Sequence, residues 1–203
     1  MDFVSIMKES PPSLNQRIAG RVREVRASSG LSLESLARTS GVSRSMISLI
    51  ERGESSPTAV VLEKLASGLG VTLASLFDAP ARAAAAAPVS RREDQTQWRD
   101  PDSGYLRRNV SPAGGPHPLR IVEVQFPAGA RVAFETGARD LPTHQQVWLL
   151  EGTINVTAGT VRHELHAGDC LAMQLDQPTM FHNPSSTPAR YAVVIVNGAE
   201  ARR

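Results

Sequence analysis

Residues 33–71 read LESLARTSGVSRSMISLIERGESSPTAVVLEKLASGLGV. Apolar positions recur here at spacings of three and four, the period of a helix with one buried face. Glycines at 41, 53 and 70 punctuate them, each suited to the left-handed turn after a helix end. Leu36 and Ala37 face inward, and Gly41 stops that helix. Ser43 caps the next, Arg44 to Arg52, with Met46, Ile47 and Ile50 available for a core. Ser56-Pro57 reads as a cap followed by proline at the first helical position. Leu62, Leu65, Ala66 and Leu69 line the helix that follows. Upstream, Leu14, Ile18, Val22 and Val25 give one apolar face, ended by Gly30, and Ser32 caps the second helix with Glu34 in its first turn. Downstream, Thr72 caps a short segment holding Leu73, Leu76 and Phe77. The spacing predicts five short helices around one core.

The turn Gly41-Val42-Ser43 is too short for an antiparallel pair, so the second and third helices cross steeply and the outer face of the third is left exposed. The quoted segment closely resembles the DNA-binding domain of the XRE family, the phage-repressor type of helix-turn-helix, over about residues 14 to 77. With Ile47 and Ile50 buried, helical geometry sends Arg44, Ser48 and Arg52 outward on one stripe. The resemblance implies that Ser43, Arg44, Ser45, Ser48 and Leu49 occupy base-reading positions. Arg44 has the fork to chelate the O6/N7 edge of a guanine. Arg52, Ser56 and Thr58 suit phosphates, because the start of the fourth helix offers free N–H groups, and Arg17 and Arg21 can add to them. The plainer reading of Arg44 and Arg52 is a solvated helix face, and of the serines simple capping.

At 203 residues the chain has room for one large domain or two small ones, given roughly 100–200 residues per domain. Hydrophobic residues make up 41% and charged residues 21%, which excludes a disordered tail or a coiled coil. No apolar run reaches the roughly 18 residues of a membrane helix, and the N-terminus lacks a signal-peptide core. The expected location is cytoplasmic. One cysteine, Cys170, excludes an internal disulfide; in an apolar strand it reads as packing rather than a redox sensor. A net charge of +2 means that any DNA affinity must come from a local surface. With 4% aromatics, a stacking platform for single strands is not expected.

Character changes near residue 79. Residues 1–13 read as a tail, 14–78 as the helical domain, 79–100 as an exposed linker of alanine, proline and charge, and 101–198 as a second domain. That domain alternates short strands with Gly/Pro turns. The candidates are 105–110, 119–126, 131–135, 145–150, 153–157, 161–165, 170–175, 179–182 and 190–196, the pattern of a jelly-roll barrel. HQQVWLLEGTINV (144–156), HAGDCLAM (166–173) and QPTMFHNP (177–184) resemble the cupin family. Gly152, Gly168 and Asn183 match its motifs. The resemblance places the family's four metal ligands on Arg139, Leu141, Gln145 and Thr179. A leucine cannot ligate and an arginine repels a cation, so no metal is expected. His144 and His182 lie near the lost positions, but a stable site needs three or four converging ligands. His163 and His166 fall on opposite strand faces.

What remains is a barrel carrying Arg139, Gln145 and Thr179, with Trp148 and Phe181 as walls. Such a lining suits a small anionic or zwitterionic organic molecule. The alternative is plain core filling, with Arg139 paired to an acid. The fold class expected is α + β in two domains, a five-helix helix-turn-helix domain and a C-terminal all-β cupin. The combination resembles bacterial regulators whose cupin senses a metabolite and dimerises. The function expected is a cytoplasmic, non-enzymatic, homodimeric regulator on a palindromic operator, repressing rather than activating, with no cofactor. A cupin metalloenzyme carrying a DNA-binding module and an antitoxin-like interaction module are the alternatives.

Overall fold

The computed structural model describes residues 13–77, 87–112, 119–135 and 143–197. Among these, the helical half contains α1 (Leu14–Ser28), α2 (Leu33–Ser40), α3 (Arg44–Glu51) and α4 (Ala59–Gly68). The cap residues behave as their chemistry requires. The side chains of Ser13, Ser32, Ser43 and Thr58 each accept a bond from the backbone N–H three residues on. Gly41 takes the left-handed conformation at φ 69°, which lets the chain reverse from α2 into α3. Ile18, Val22, Leu36, Ile47, Ile50, Leu62 and Leu65 form the buried centre.

Three expectations change here. The fifth helix is a 3₁₀ turn, Leu73–Phe77, because five residues leave little room for a run of α-type bonds. The cap of α4 is Thr58 and not Ser56, since Thr58 supplies the hydroxyl that meets Val61 N–H. Met46 is 38% exposed and stays out of the core, one step around the helix from Ile47.

The second half contains ten strands among the described residues. They are β1 (Gln97–Arg99), β2 (Leu106–Asn109), β3 (Leu119–Phe126), β4 (Arg131–Phe134), β5 (Thr143–Glu151), β6 (Thr153–Ala158), β7 (Val161–His166), β8 (Cys170–Gln174), β9 (Thr179–His182) and β10 (Ala189–Asn197). They build two antiparallel sheets, ordered β1-β2-β3-β10-β5-β8 and β4-β9-β6-β7. All nine strands expected from alternation are present. The tenth, β1, lies inside the stretch read as linker. It escapes sequence reading because three residues are too short to show a period. Trp98 on β1 is buried, and so is Asp100 just beyond it, so the stretch from 97 to 100 belongs to the barrel. Asn183 is fully buried at a chain reversal. Its amide donates to the carbonyls of Phe126, Pro127 and Thr187 at 3.3, 3.1 and 2.8 Å, and its oxygen accepts from Ser185.

The two halves share one continuous core. Phe77 meets Trp98 with ring centroids 5.4 Å apart, and the contact runs on through Tyr105, Phe126, Tyr191, Phe181 and Phe134. Seven of the nine aromatic residues therefore form one chain from the helices into the barrel. Lys64 on α4 pairs with Glu135 after β4 at 2.8 Å. No described helix is long and apolar enough to cross a membrane.

Gly68 on α4 marks a close contact between helices. A Cβ there would lie 3.0 Å from the backbone N and Cα of Ser40 on α2. Ala37 on α2, expected to face inward, is half-buried. Gly68→Ala should destabilise the protein by about 1–3 kcal/mol in urea unfolding, even though alanine gains about 1 kcal/mol in a helix. An unchanged or higher midpoint would show that α2 and α4 can part without cost.

Candidate functional site: an exposed helix face and a barrel cavity

The first candidate surface is α3. Its apolar side, Ile47 and Ile50, is sunk in the core, while Ser43, Arg44, Ser45 and Arg52 are exposed and Ser48 and Leu49 half-buried. The stripe drawn from helical spacing is thus solvent-facing as expected. Two of its members, Arg52 and Ser48, are engaged within the protein, as is the cap residue Ser43. Arg52 chelates Glu54 through two bonds of 2.8 Å and also donates to Ser48. The Ser43 hydroxyl accepts from Met46 N–H, so it caps α3 as well as facing outward.

What holds α3 in place was not legible in the sequence. Arg26 at the end of α1 donates to both carboxylate oxygens of Glu51, at 2.6 and 2.8 Å, and to the Leu31 carbonyl at 2.8 Å. Glu51 is buried. A bidentate pair of this kind fixes orientation as well as distance.

The expected phosphate positions divide. Ser56 is exposed and accepts from Asn15 at 2.7 Å. Two of the N–H groups opening α4 are not free as anticipated. Thr58 takes that of Val61, and Asp100 of the barrel takes that of Ala59 at 2.8 Å. Arg21 donates to the Ser75 carbonyl and to Glu24, and Arg17 to Thr96. Both arginines therefore contact the protein's own surface.

The second candidate is a cavity of about 70 Å³ between the two sheets, closed at one end by the helical domain. Such a volume holds about five water molecules. Gln145, Thr179 and Phe181 line it, as expected from sequence. Trp148 does not. It is 50% exposed on the outer face of β5. Strand alternation explains this, since an inward Gln145 sends a residue three positions on to the opposite face. The same rule turns His144 outward, so His144 and His182 do not converge. Cys170 is exposed on β8 and not packed inside. Arg139, Leu141 and Asp140 fall outside the described residues.

The charged lining is one that sequence reading missed. Arg107 on β2 is buried and reaches the cavity, its guanidinium 5.3 Å from the Phe77 ring centre. Glu63 on α4 is buried and lines the same space, with Thr72 and Leu73 beside it. The alternation Tyr105, Arg107 put both on one strand face, but nothing local said which face was inward. Burial pushes the phenols of Tyr105 and Tyr191 well above their ordinary range, partly offset by the charge of Arg107.

Residues 22–76 match the family model described as helix-turn-helix. The N-terminal domain is a helix-turn-helix domain. The HTH-type transcriptional regulator SutR of Escherichia coli strain K12 is 38% identical over 68 residues, which cover 34% of this chain and 38% of that protein. The shared stretch thus spans well under half of that relative. The crystal structure of an HTH_3 family transcriptional regulator from Vibrio cholerae superposes with a TM-score of 0.73 at 26% identity, over 92% of this chain and 98% of that one. A cupin_2 domain of an XRE family transcriptional regulator from Enterobacter cloacae aligns over 47% of this chain and 98% of its own, at 14% identity and a TM-score of 0.43. The chain thus joins a helix-turn-helix domain to a C-terminal barrel of two antiparallel sheets.

Behind the helix-turn-helix domain, the barrel cavity does not suit the metal that the resemblance to cupins implies. Gln145 and Thr179 stand at two ligand positions, and the Arg107 guanidinium shares the space. Among the described residues no three His, Cys, Asp or Glu side chains group to hold an ion.

Two outcomes test this geometry. Glu51→Ala should cost about 1–3 kcal/mol, because it takes two charged hydrogen bonds from the half-buried Arg26 guanidinium, and thermal unfolding measures it. A loss near zero would mean the pair does not hold α3. Tyr105 and Tyr191 are held neutral in the folded state, so their contribution to stability persists below about pH 10 and falls as pH rises above it. No tyrosinate absorbance should appear on alkaline titration until the fold itself is lost. Ionisation near pH 10 with intact circular dichroism would show the phenols open to water.

Proposed function

We propose that the protein is a sequence-specific, DNA-binding transcriptional regulator, acting as a repressor in the cytoplasm. The observation that carries this reading is the α3 surface. Arg44 and its neighbouring serines are exposed at the first turn of a helix whose other face is locked by Ile47, Ile50 and the Glu51–Arg26 pair. In this motif the N-terminal residues of the second helix enter the major groove. Arg44 would read guanine, with Ser43, Ser45, Ser48 and Leu49 completing the base contacts. Arg52, Ser56, Thr58, Arg17 and Arg21 would meet the backbone, Arg52 by exchanging Glu54 for a phosphate. The cupin cavity would bind a small organic effector and bias the DNA-binding arrangement. No chemical step is assigned to it. One α3 reads only a few base pairs, so a homodimer on a palindrome with half-sites about one turn apart supplies the needed site length.

The test is to incubate the full chain with fragmented genomic DNA from its source and sequence what is retained. A short palindrome upstream of an operon is the expected result, with twice the chain mass in light scattering. Arg44→Ala should weaken binding to that sequence by about 1–3 kcal/mol while leaving weak, salt-sensitive binding to unrelated DNA. Wild-type affinity in the variant would refute the recognition-helix assignment.

A further inference from the structure

The phosphate contacts proposed on the helix-turn-helix domain run up against the barrel. Arg17 donates to Thr96 at 3.3 Å, one residue before β1. Ser56 lines an open cleft of about 310 Å³ whose facing wall is Gln97, Trp98 and Arg99 of β1. Its described lining holds one cation, Arg99, and no acid. The Ser56 hydroxyl accepts from Asn15, which leaves its own O–H to donate. We propose that the barrel takes part in operator binding: the open edge of β1 and the Arg99 guanidinium hold a phosphate of the DNA backbone, next to the one at Ser56.

β1 is the edge strand of its sheet, and the ladder fixes which of its backbone groups are open. Asn109 N–H donates to the Thr96 carbonyl, and Asp100 N–H donates to the Tyr105 carbonyl. Bonded residues alternate along an antiparallel strand, so Thr96, Trp98 and Asp100 turn their backbone groups to β2. Gln97 and Arg99 turn theirs to the open edge. Side-chain alternation adds to this, since Trp98 is buried while Gln97 and Arg99 are exposed. The Arg99 guanidinium donates through Nη1 to the Gly104 carbonyl at 2.8 Å. That bond anchors it, and its other N–H groups meet no acceptor among the described residues. Edge amides beside an arginine fork are donors that match phosphate oxygens.

The occupant is a duplex and not a free anion. An exposed arginine holds a lone phosphate weakly, because water and salt compete for it. The cleft, however, continues the α3 surface, since Ser56 stands in the loop that follows α3, four residues beyond Arg52. A phosphate carried by a duplex already seated on α3 reaches Arg99 at high effective concentration. One duplex then touches both domains. Operator DNA therefore favours the docked arrangement, in which Asp100 holds the Ala59 N–H and Phe77 meets Trp98.

This inference rests on the regulator reading above, and the experiment separates the two. The full chain is titrated with the recovered operator by fluorescence anisotropy over a series of salt concentrations. R99E should bind about tenfold more weakly at low salt, and its slope of log affinity against log salt should be shallower by about one. R162E makes the same charge change on β7, in the other sheet, where Arg162 is exposed, and should lose much less. Equal losses in the two variants would assign the effect to overall charge and overturn the site. Wild-type affinity and slope in R99E would also overturn it, while leaving the regulator reading in place. Failure of the wild type to bind any duplex ends both readings. Should R99E melt below the wild type, Q97E, which keeps the bond to Gly104, decides by the same criteria. Finally, inorganic phosphate is titrated into the wild type by calorimetry, and no saturable heat is expected. Phosphate binding that R99E abolishes would give the cleft to a free phosphorylated molecule and overturn the DNA assignment.

Discussion

The carboxylate of Asp100 is where the two halves of the molecule are joined. One oxygen accepts the Ala59 N–H that opens α4, and the other accepts the backbone and hydroxyl of Ser103. A buried carboxylate is tolerable only with such donors around it, and a helix N-terminus is among the most favourable. The backbone of the same residue ties the turn between β1 and β2, through Asp100 N–H to the Tyr105 carbonyl at 2.9 Å. Two residues earlier, Trp98 meets Phe77. The turn thus fixes α4 and the 3₁₀ turn against the mouth of the barrel, and the cavity owes its helical wall to it.

The arginines of this chain, whose net charge is +2, divide between interior and surface. Several are used inside. Arg26 clamps Glu51, Arg108 meets Glu123 and Gln95, and Arg107 lies over Phe77. Arg44 is exposed on α3, where no described partner constrains the direction it takes. Overall charge is therefore a poor guide to local potential, because each internal pair cancels itself at short range. The aromatics follow the same economy. They run as a chain through the interior, and Trp148 stays on the outer face of the barrel.

Local chemistry made much of this readable in advance. Serine and threonine hydroxyls announced helix starts, glycines announced reversals, and the apolar period announced the buried faces of α1 to α4. Alternation announced nine strands. The errors arose where a pattern was too short or its origin unknown. β1 has three residues, the fifth helix has five, and the inward phase of β5 was assigned to Trp148 when Gln145 already excluded it. The outer stripe of α3 needed nothing beyond helical spacing, so its exposure was legible. The cavity's charged walls were not, because Glu63 and Arg107 lie 44 positions apart and meet only when the domains dock.

The amino-acid sequence by itself therefore determined the two fold types, the order of their elements and which side of α3 meets solvent. These depend on dihedral preference and on periods of 3.6 and 2, which act over a few neighbouring residues. Tertiary structure alone decided that Asp100 caps a helix in the other domain, that Gly68 lets α4 approach α2, and that Arg107 and Glu63 share one buried space. These contacts join residues far apart in the chain. Periodicity says that a side chain points inward, but close packing of the whole molecule settles what it meets there.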